Sequence, residues 1–526
     1  MKLQGSRFAG KVWATLNLAV NGLIYRRLRA EAVHAATAGQ GAERVLRRIE
    51  TCAQFASRNH VGLFSDGTLE NLAYRLGQDL QVTAAERAAR DADLADTEGG
   101  TLHVVTRVFP TGGHSRVLAK WISRDKSTRH IVVFTQPQRS LPEFFGRGVA
   151  DNQVRLVHIG QHEDIMKRSI ALRLLAQRAD RVILHTHPHD VVPVVAFAKA
   201  EGLPPIALFN HAHFSYCLGS TVADVHINAL PYYREISLQH RFARDTALLP
   251  TIVSSLTTFR DVPVDKARAR KSLGLDADRV VLLAIASDRY FKPAFGYDFF
   301  RTTKKILDRL GQASLVFVGV RDDYRYAPKS MKRDARVRFL GPLGDPTNVC
   351  QAADICLESF PVPSLGAVSL SVAVGEAFPV LAYEVGENIL RVDRTARFQG
   401  AVRTRTENGY VDYVVGLAES LDQTRAAARR IRADLIAMDA LFQEKLAPLY
   451  KQIDGHRHSP GPIPAGRFRH ELDNLLLAAN SRPLLKRLHA FGRWSLAIGE
   501  VRRAYRRNMP WRIQSFLRQV TARLSR

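Results

Sequence analysis

The sequence predicts an α/β protein in which two doubly wound domains face each other across a cleft. Continuous apolar runs alternate with helix-like segments between residues 99 and 453, and this alternation is typical of parallel sheets that are covered by helices. Ligands bind such sheets at the carboxyl ends of the strands. The chain has 526 residues, which is enough for two domains of this kind and further helical segments.

The order of these segments divides the chain into five parts. We expect a helical N-terminal region (1–98), a first Rossmann-like domain (99–258), a second one (262–453) whose last helix crosses back to the first, a linker (454–466) and a basic amphipathic helical tail (467–526). The segment 257–264 is the predicted hinge between the two domains.

The most informative stretch is 358–384, which follows a short apolar strand at 354–357. It forms a loop that is broken by Pro and Gly and then enters a helix of small residues, among them Ser364, Gly366 and Ser369. The first N–H groups of a helix have no internal partner, and the helix dipole favours an anion there. The stretch therefore indicates a phosphate site, although an ordinary strand, loop and helix would read the same way.

A second loop in the same domain carries basic side chains. The run 279–286 predicts a buried strand, and the loop that follows it contains Arg289 and Lys292. Because parallel strands end at the same edge of a sheet, a lysine in this loop can reach an anion that is bound beside the 358–384 loop. We expect Lys292 to pair with that anion and Arg289 to assist.

These segments resemble the donor-binding domain of GT-B glycosyltransferases. The resemblance lies in "SDRYFKP", "VRFLGPLGD" and "ESFPVPSLGAVSLSVAVGEAFPVLAYE", and it is greatest to the retaining Glu-x7-Glu group and to the O-GlcNAc-transferase-like group. It implies a nucleotide-sugar donor, with Lys292 on its diphosphate, Gly341 beside its base, Glu358 facing its sugar and residues 364–369 around its phosphates. It also implies that no metal or other cofactor is needed.

The sequence departs from this pattern at one position. The residue eight places after Glu358 is Gly366, so the second carboxylate of Glu-x7-Glu is missing. Two readings therefore stay open beside a transferase: a sugar-nucleotide epimerase, and a subunit that binds a sugar nucleotide without catalysis. The stereochemical outcome of a transfer also stays open.

The first domain supplies a candidate base. A predicted strand at 101–109 leads into Gly112, Gly113 and His114 and then into a helix. The resemblance places this loop in the cleft, where it carries a catalytic group or contacts the sugar acceptor. Histidine titrates near neutral pH, so His114 can accept the proton of the acceptor hydroxyl. The alternative is that His114 caps its helix or contacts phosphate.

Two further segments place histidines at strand ends, namely 185–190 and 210–213. The second, with 218–224, resembles the "NHADHxFWLGxSVAD" segment of some bacterial sugar-transferase-like proteins, and we expect His211 and His213 to line the acceptor side of the cleft. A metal site is sterically possible, since alternate residues of a strand share a face. No H-E-x-x-H motif or Cys pair accompanies them, so we predict polar cleft lining and no metal.

The net charge of +26 favours anionic partners such as nucleotide diphosphates, lipid phosphates or acidic glycans. Residues 467–526 contain 14 Lys and Arg against three Asp and Glu, interleaved with apolar residues. This composition is typical of a helix that lies on an anionic membrane surface, and equally of a helix packed on the protein with a basic outer face. Nucleic acid is not an expected partner, because no nucleic-acid-binding motif accompanies the charge.

The remaining features concern localisation. Residues 12–25 are apolar but interrupted by Asn17 and Asn21, which predicts an amphipathic helix and neither a signal peptide nor a membrane span. The four cysteines have no paired spacing, which favours a reduced, cytoplasmic protein. We therefore expect a hexosyl- or N-acetylhexosaminyltransferase, peripheral on the inner membrane face, that acts on a glycan, lipid-linked or protein acceptor in bacterial surface polysaccharide assembly.

Overall fold

The computed structural model describes most of the chain. The described residues are 2–93, 98–110, 113–150, 154–162, 164–251, 263–383, 398, 400–402, 404–468 and 477–478. The predicted hinge at 257–264 lies almost wholly outside them, as do Gly112 and nearly all of the predicted tail. None of the helices within these ranges is long and apolar enough to cross a membrane.

The chain begins with helices and continues into a first set of alternating strands and helices. The N-terminal helices are α1 (Lys2–Thr37), α2 (Ala42–Arg58), α3 (Gly67–Gln78) and α4 (Ala84–Asp93). The first set consists of β1 (Thr101–Val105), α5 (Gly113–Arg124), β2 (His130–Phe134), α6 (Glu143–Ala150), β3 (Val154–His158), α7 (Ile165–Ala176), β4 (Arg181–His185), α8 (Val192–Ala196), β5 (Ile206–Phe209), β6 (Val225–Asn228), α9 (Pro231–His240) and β7 (Asp245–Leu248).

A second set follows and ends in three consecutive helices. It consists of α10 (Lys266–Ser272), β8 (Val280–Ile285), α11 (Phe299–Arg309), β9 (Ala313–Val318), α12 (Lys329–Lys332), β10 (Val337–Phe339), α13 (Thr347–Ala352), β11 (Ile355–Leu357), α14 (Leu365–Gly375), β12 (Phe378–Val380), α15 (Glu407–Glu419), α16 (Leu421–Glu444) and α17 (Leu446–Asp454).

Both sets form parallel sheets, which confirms the predicted fold class. The first sheet has the order β3-β2-β1-β4-β5-β6-β7 and the second β10-β9-β8-β11-β12. The order of connection reverses between β1 and β4 in the first sheet, and between β8 and β11 in the second. Loops diverge at such a reversal and leave a crevice outside the carboxyl ends of the strands. Each sheet therefore has one ligand-binding crevice.

The strands consist of apolar runs, and helices cover both faces of each sheet. The central strands are therefore buried. β1, β2 and β9 are buried along their whole length. At the end of β9, Gly319 has φ +89°, and a Cβ there would lie 2.0 Å from the carbonyl oxygen of Ala286. Only glycine fits this approach, which brings the ends of β8 and β9 together beneath the second crevice.

The N-terminal helices share one core with the first sheet. Tyr25, Leu46 and Phe55 belong to the same buried cluster as Leu102 and Ile131. The end of α2 is thereby fixed against the first crevice, so the region at 1–98 contributes to the site as well as to the core.

The predicted linker also packs on this domain. The amide of Gly67 donates to the carbonyl of Pro464 at 3.1 Å, and Asn71 exchanges two hydrogen bonds with the backbone of Ile463, at 2.8 and 2.9 Å. His458 contacts the Asp224 carboxylate at 2.9 Å. The segment after α17 therefore follows the surface of the first domain in a fixed path.

Helix α16 connects the two domains. It packs on α14 and β12 of the second domain, while Asp439 near its end forms ion pairs with the buried Lys120 and with Arg124 of α5, the latter at 3.0 Å. In α17, the Tyr450 hydroxyl accepts a hydrogen bond from the Trp121 indole at 2.7 Å. The end of the second half of the chain is thus tied to the first domain.

Replacing Asp439 by Ala is expected to destabilise the protein by about 3–5 kcal/mol, because the change removes the carboxylate that pairs with the buried Lys120 ammonium. Urea unfolding measures this loss. The matched control is Asp434→Ala, an exposed site on the same helix, for which a change within about 0.5 kcal/mol is expected. Equal losses in the two variants would contradict a buried charge pair.

Candidate functional site

A cavity of about 750 Å³ opens between the carboxyl edges of the two sheets. Both domains contribute side chains to it, and so does the end of the helical N-terminal region. The polar and aromatic lining residues are Ser57, Arg58, His60, His114, Phe209, Asn210, His211, His213, Phe214, Ser215, Tyr233, Thr251, Ser287, Arg289, Tyr290 and Ser364. The cavity therefore joins the two crevices that the sheet orders create.

On the side of the second domain, α14 begins at the cavity. Ser364 is its N-cap, and its carbonyl accepts hydrogen bonds from the amides of Ala367 at 2.8 Å and Val368 at 3.2 Å. Gly366, in the first turn, is exposed to the cavity, and a Cβ there would meet no atom within 4 Å. The start of this helix is open space beside unpaired helix amides, which suits an anion.

A short 3-10 turn, Asp288–Phe291, follows β8 and lines the same cavity as the start of α14. Its last residue, Phe291, is fully buried against Phe299 and Phe317, with ring centroids 4.8 and 5.8 Å away. This anchor presents Arg289 at the cavity, where its guanidinium lies 5.2 Å from the Tyr290 ring. A permanent cation thus stands opposite the helix start.

The other predicted donor residues lie behind this surface. Glu358 is fully buried, and its carboxylate accepts a hydrogen bond from the Ala382 amide at 3.0 Å. Ser369 is buried inside α14, and Gly341 bonds through its backbone to Val320 at 2.9 Å. Like the half-buried Lys292, none of these three lines the cavity. The structure thus brings Arg289, Ser364 and Gly366 together at the cavity.

On the side of the first domain, Gly113, His114, His211 and His213 all line the cavity. The Nε2 of His114 donates to the carbonyl of His185 at 2.5 Å. The rings of His114 and His211 stack with centroids 3.9 Å apart and planes inclined by 19°. Within the described part of the chain, the residues predicted on the acceptor side therefore lie together, and their three histidines form one surface.

Burial lowers the pKa of these histidines. The pKa of His114 falls to about 4, because packing removes water from the ring and the hydrogen bond to the His185 carbonyl offsets only part of that cost. The pKa of His211 is also well below its usual value, chiefly through burial and then through the neighbouring His114. Both rings are neutral at pH 7, so each has a lone pair that can accept a proton.

The loop at 210–215 is held by a buried arginine. Arg241 is almost wholly inaccessible and donates to the Asn210 amide oxygen at 2.5 Å and to the carbonyls of Ala212 and Ser215 at 2.6 and 2.7 Å. These bonds pair both terminal nitrogens of the guanidinium and fix the loop that carries His211. The sequence offers no signal for this role, since the arginine follows 26 residues or more after the carbonyls that it binds.

No model of a known protein family and no curated protein matches the sequence. Solved structures do match the fold. A glycosyltransferase from Rickettsia africae is 10% identical in sequence, with a TM-score of 0.50 over 68% of this chain and 99% of that one. The chain has the GT-B fold.

Two further GT-B structures match this chain, one over a larger share of its length and one over a similar share. A mutant O-GlcNAc transferase from Thermobaculum terrenum is 13% identical over 86% of this chain and 84% of that one, with a TM-score of 0.46. The HepE protein of Anabaena, determined with UDP and glucose, is 13% identical over 67% of this chain and 100% of that one, with a TM-score of 0.47.

The GT-B cleft of this protein is basic. Arg58, at the end of α2, and His60 line it together with Arg289 and three other histidines, while no Asp or Glu lines it in the described part of the chain. Such a lining attracts anions and concentrates them in the cleft. The contribution of Arg58 and His60 could not be predicted, since nothing in the spacing of residues 1–98 sets these two residues apart.

The histidines of the cleft are not arranged around a common centre. Among the described residues, no group of three or more His, Cys, Asp or Glu side chains is placed to hold a metal ion. One of the cleft histidines, His211, instead contacts the ring of His185, which continues into a series of buried histidines.

Proposed function

We propose that this protein is a glycosyltransferase that moves a sugar from a nucleotide-sugar donor to a hydroxyl group of an acceptor bound in the cleft. One observation carries the proposal: a single cavity joins an open helix start and a facing arginine on one side to neutral histidines on the other. The first pair suits a diphosphate, and the second suits proton removal from an alcohol.

The donor half of the proposal follows from the charges. The diphosphate lies at the start of α14, where the amides near Ser364 and Gly366 donate to it and Arg289 neutralises it. Lys292 adds charge from behind the 3-10 turn. Gly341 and Ser369 shape the surrounding backbone, and the sugar and base extend from the diphosphate into the rest of the cavity.

The chemical step follows from the histidines. The acceptor oxygen attacks the anomeric carbon, and the bond from that carbon to the phosphate oxygen breaks, with its electron pair leaving on the diphosphate. A histidine of the cleft, His114 or His211, takes the acceptor proton. Glu358 acts as a positioning residue, because its carboxylate bonds to the Ala382 amide at 3.0 Å and is fully buried.

The missing second carboxylate supports a second candidate function. The cleft has Gly366 where the Glu-x7-Glu pattern has a carboxylate, so a sugar-nucleotide epimerase or a non-catalytic binding subunit would also fit. An epimerase would interconvert a free sugar nucleotide without an acceptor. A binding subunit would hold it without releasing nucleotide.

The finer assignment concerns the acceptor and the place of action. We propose a hexosyl or N-acetylhexosaminyl donor and a glycan, lipid-linked or protein acceptor of a bacterial surface polysaccharide, reached from the inner membrane face. The net charge of +26 supports an anionic surface or acceptor.

A thermal-shift screen of the full chain against UDP-, GDP-, ADP- and CMP-sugars tests the proposal. A donor at 100 times its dissociation constant stabilises the folded state by about 2.7 kcal/mol, and Arg289→Ala should remove most of this shift. The matched control is Arg325→Ala, since that exposed arginine also lies over a tyrosine, Tyr326, but outside the cavity. No shift with any nucleotide sugar would overturn the donor site.

A further inference from the structure

Four imidazoles form a continuous hydrogen-bonded chain through the first domain. His130 Nδ1 lies 3.0 Å from His103 Nε2, His103 Nδ1 lies 3.0 Å from His185 Nε2, and His185 Nδ1 lies 2.9 Å from His211 Nε2. His130 opens β2 and His185 closes β4. The chain therefore runs diagonally across neighbouring strands, from the amino edge of the sheet to the cleft.

The hydrogen bond at the His130 end determines which nitrogen donates in each contact of the histidine chain. His130 Nε2 lies 3.1 Å from the carbonyl oxygen of Asp125, which can only accept, so this nitrogen carries the proton. Burial lowers the pKa of His130, His103, His185 and His211, so each ring is neutral and carries a single proton at pH 7. Each Nδ1 must then accept from the Nε2–H of the next ring.

This direction leaves one nitrogen unprotonated at the cleft, namely Nδ1 of His211. Its Nε2–H is committed to His185, and the ring lines the cavity. Three charged groups act on the opposite end of the histidine chain. They are Arg181, Lys126 and the Asp125 carboxylate, which lies 3.6 Å from His130 Nε2.

We propose that this chain is a proton relay, in which His211 Nδ1 takes the proton of the acceptor hydroxyl and the positive charge passes inward to His130. The proposal rests on the proposed transferase function. As the acceptor oxygen bonds to the anomeric carbon, its proton moves to His211 Nδ1. The Nε2–H protons of His211, His185 and His103 then each move to the Nδ1 of the next ring.

The relay ends with an imidazolium at His130 beside the Asp125 carboxylate. That carboxylate is nearly inaccessible and accepts hydrogen bonds from the Tyr450 hydroxyl at 2.5 Å and from Ser127 Oγ at 2.6 Å. It is therefore held in place as a counter-charge for the protonated ring. After the product leaves, the proton returns by the same route to solvent in the cleft.

The geometry distinguishes His211 from His114, the base expected from the sequence. His114 also has an unprotonated Nδ1, because its Nε2 donates to the His185 carbonyl. A carbonyl cannot take the proton onward, so His114 would have to keep the full charge at the cavity wall. His211 can pass it to a neutral ring. We therefore assign His211 as the catalytic residue and His185, His103 and His130 as positioning residues.

The direction can be tested without any substrate. In 15N NMR of the full chain with labelled histidine, the relay requires Nε2 to be protonated and Nδ1 unprotonated in His211, His185, His103 and His130. The resonances are assigned by single substitutions. A proton on Nδ1 of His211 in the free protein at pH 7 would overturn the proposal, whatever the protein's activity.

The function of the relay is tested by a substitution that interrupts the histidine chain at a residue remote from the substrate. His103→Gln lies two rings behind the cavity, so donor-induced thermal shift should match the wild type while kcat falls by about tenfold or more. His211→Ala should lower kcat by about a hundredfold, again with donor binding retained. If His103→Gln folds and keeps wild-type kcat, the chain does not carry the proton.

A second interior variant covers the case in which His103→Gln does not fold. Asp125→Asn keeps the carbonyl that orients His130 and a polar side chain beside Tyr450, but it removes the counter-charge. The relay predicts unchanged tautomers and donor binding with a reduced kcat, and wild-type kcat would overturn it. Loss of donor binding in the wild type would instead refute the transferase proposal and leave the tautomer test standing.

Discussion

A leucine at position 366 is expected to abolish donor binding without unfolding the protein. Gly366 lies in the first turn of α14 and lines the cavity. A Cβ there meets no atom within 4 Å, so a larger side chain enters open space and covers the helix amides. The donor-induced stabilisation of about 2.7 kcal/mol at a hundredfold excess over the dissociation constant should disappear in a thermal-shift measurement.

The control for this variant is Gly416→Leu in α15. Gly416 is also helical, exposed and without neighbours within 4 Å of a Cβ, but it lies outside the cavity. Its donor shift should equal that of the wild type. Undiminished binding by Gly366→Leu would mean that the diphosphate lies elsewhere.

Acid is expected to destabilise the protein steeply below about pH 6.5, the ordinary pKa of histidine. His103, His130, His185 and His226 are fully buried, and burial lowers the pKa of each, that of His226 to about 3. The unfolded chain therefore binds protons that the folded chain does not. Each such proton lowers the free energy of unfolding by about 1.4 kcal/mol per pH unit between the two pKa values, and contributes nothing above the unfolded one.

Urea unfolding at several pH values between 8 and 5 measures this dependence. The contribution of the four buried histidines to the free energy of unfolding should be constant near pH 8. The free energy should fall as the pH drops below 6.5. His226→Leu should reduce the slope by about 1.4 kcal/mol per pH unit, because it removes one of these protons. A wild-type free energy that does not change between pH 7 and pH 5 would contradict neutral burial of the histidines.

The fold could be predicted because its central strands are continuous apolar runs. β2 (His130–Phe134) and β4 (Arg181–His185) are largely apolar runs of this kind. The first strand ends at Val105 instead of residue 109, since the chain turns toward the cleft there. β6 and β7 were not predicted, because polar residues interrupt their short apolar patterns, His226 and Asn228 in β6 and Asp245 and Thr246 in β7.

The candidate site could be predicted only in part. The loop order placed Arg289, Ser364 and Gly366 at one edge, and this juxtaposition is in the structure. The histidine chain could not be predicted, because it depends on strand register: His103 pairs laterally with Ile183 of β4, whereas the β4 residue that contacts its ring is the diagonal neighbour His185. Arg241 and Arg58 come from distant segments and depend on tertiary packing in the same way.

The departure from the Glu-x7-Glu pattern also has a structural counterpart. Gly366 leaves the start of α14 open, since a Cβ there would meet no atom within 4 Å. No carboxylate lines the cavity within the described residues, so the donor ribose would have to be held by backbone or neutral groups. The transferase proposal thus requires a donor site that depends on helix amides and Arg289.

A crystal structure with the nucleotide sugar that gives the largest thermal shift is the most direct test of the donor site at the start of α14. We expect the diphosphate within hydrogen-bond distance of the amides of Leu365 and Gly366 and of the Arg289 guanidinium, with the sugar directed toward His211. A nucleotide bound outside the cleft, or with its diphosphate away from the start of α14, would contradict the proposed donor site.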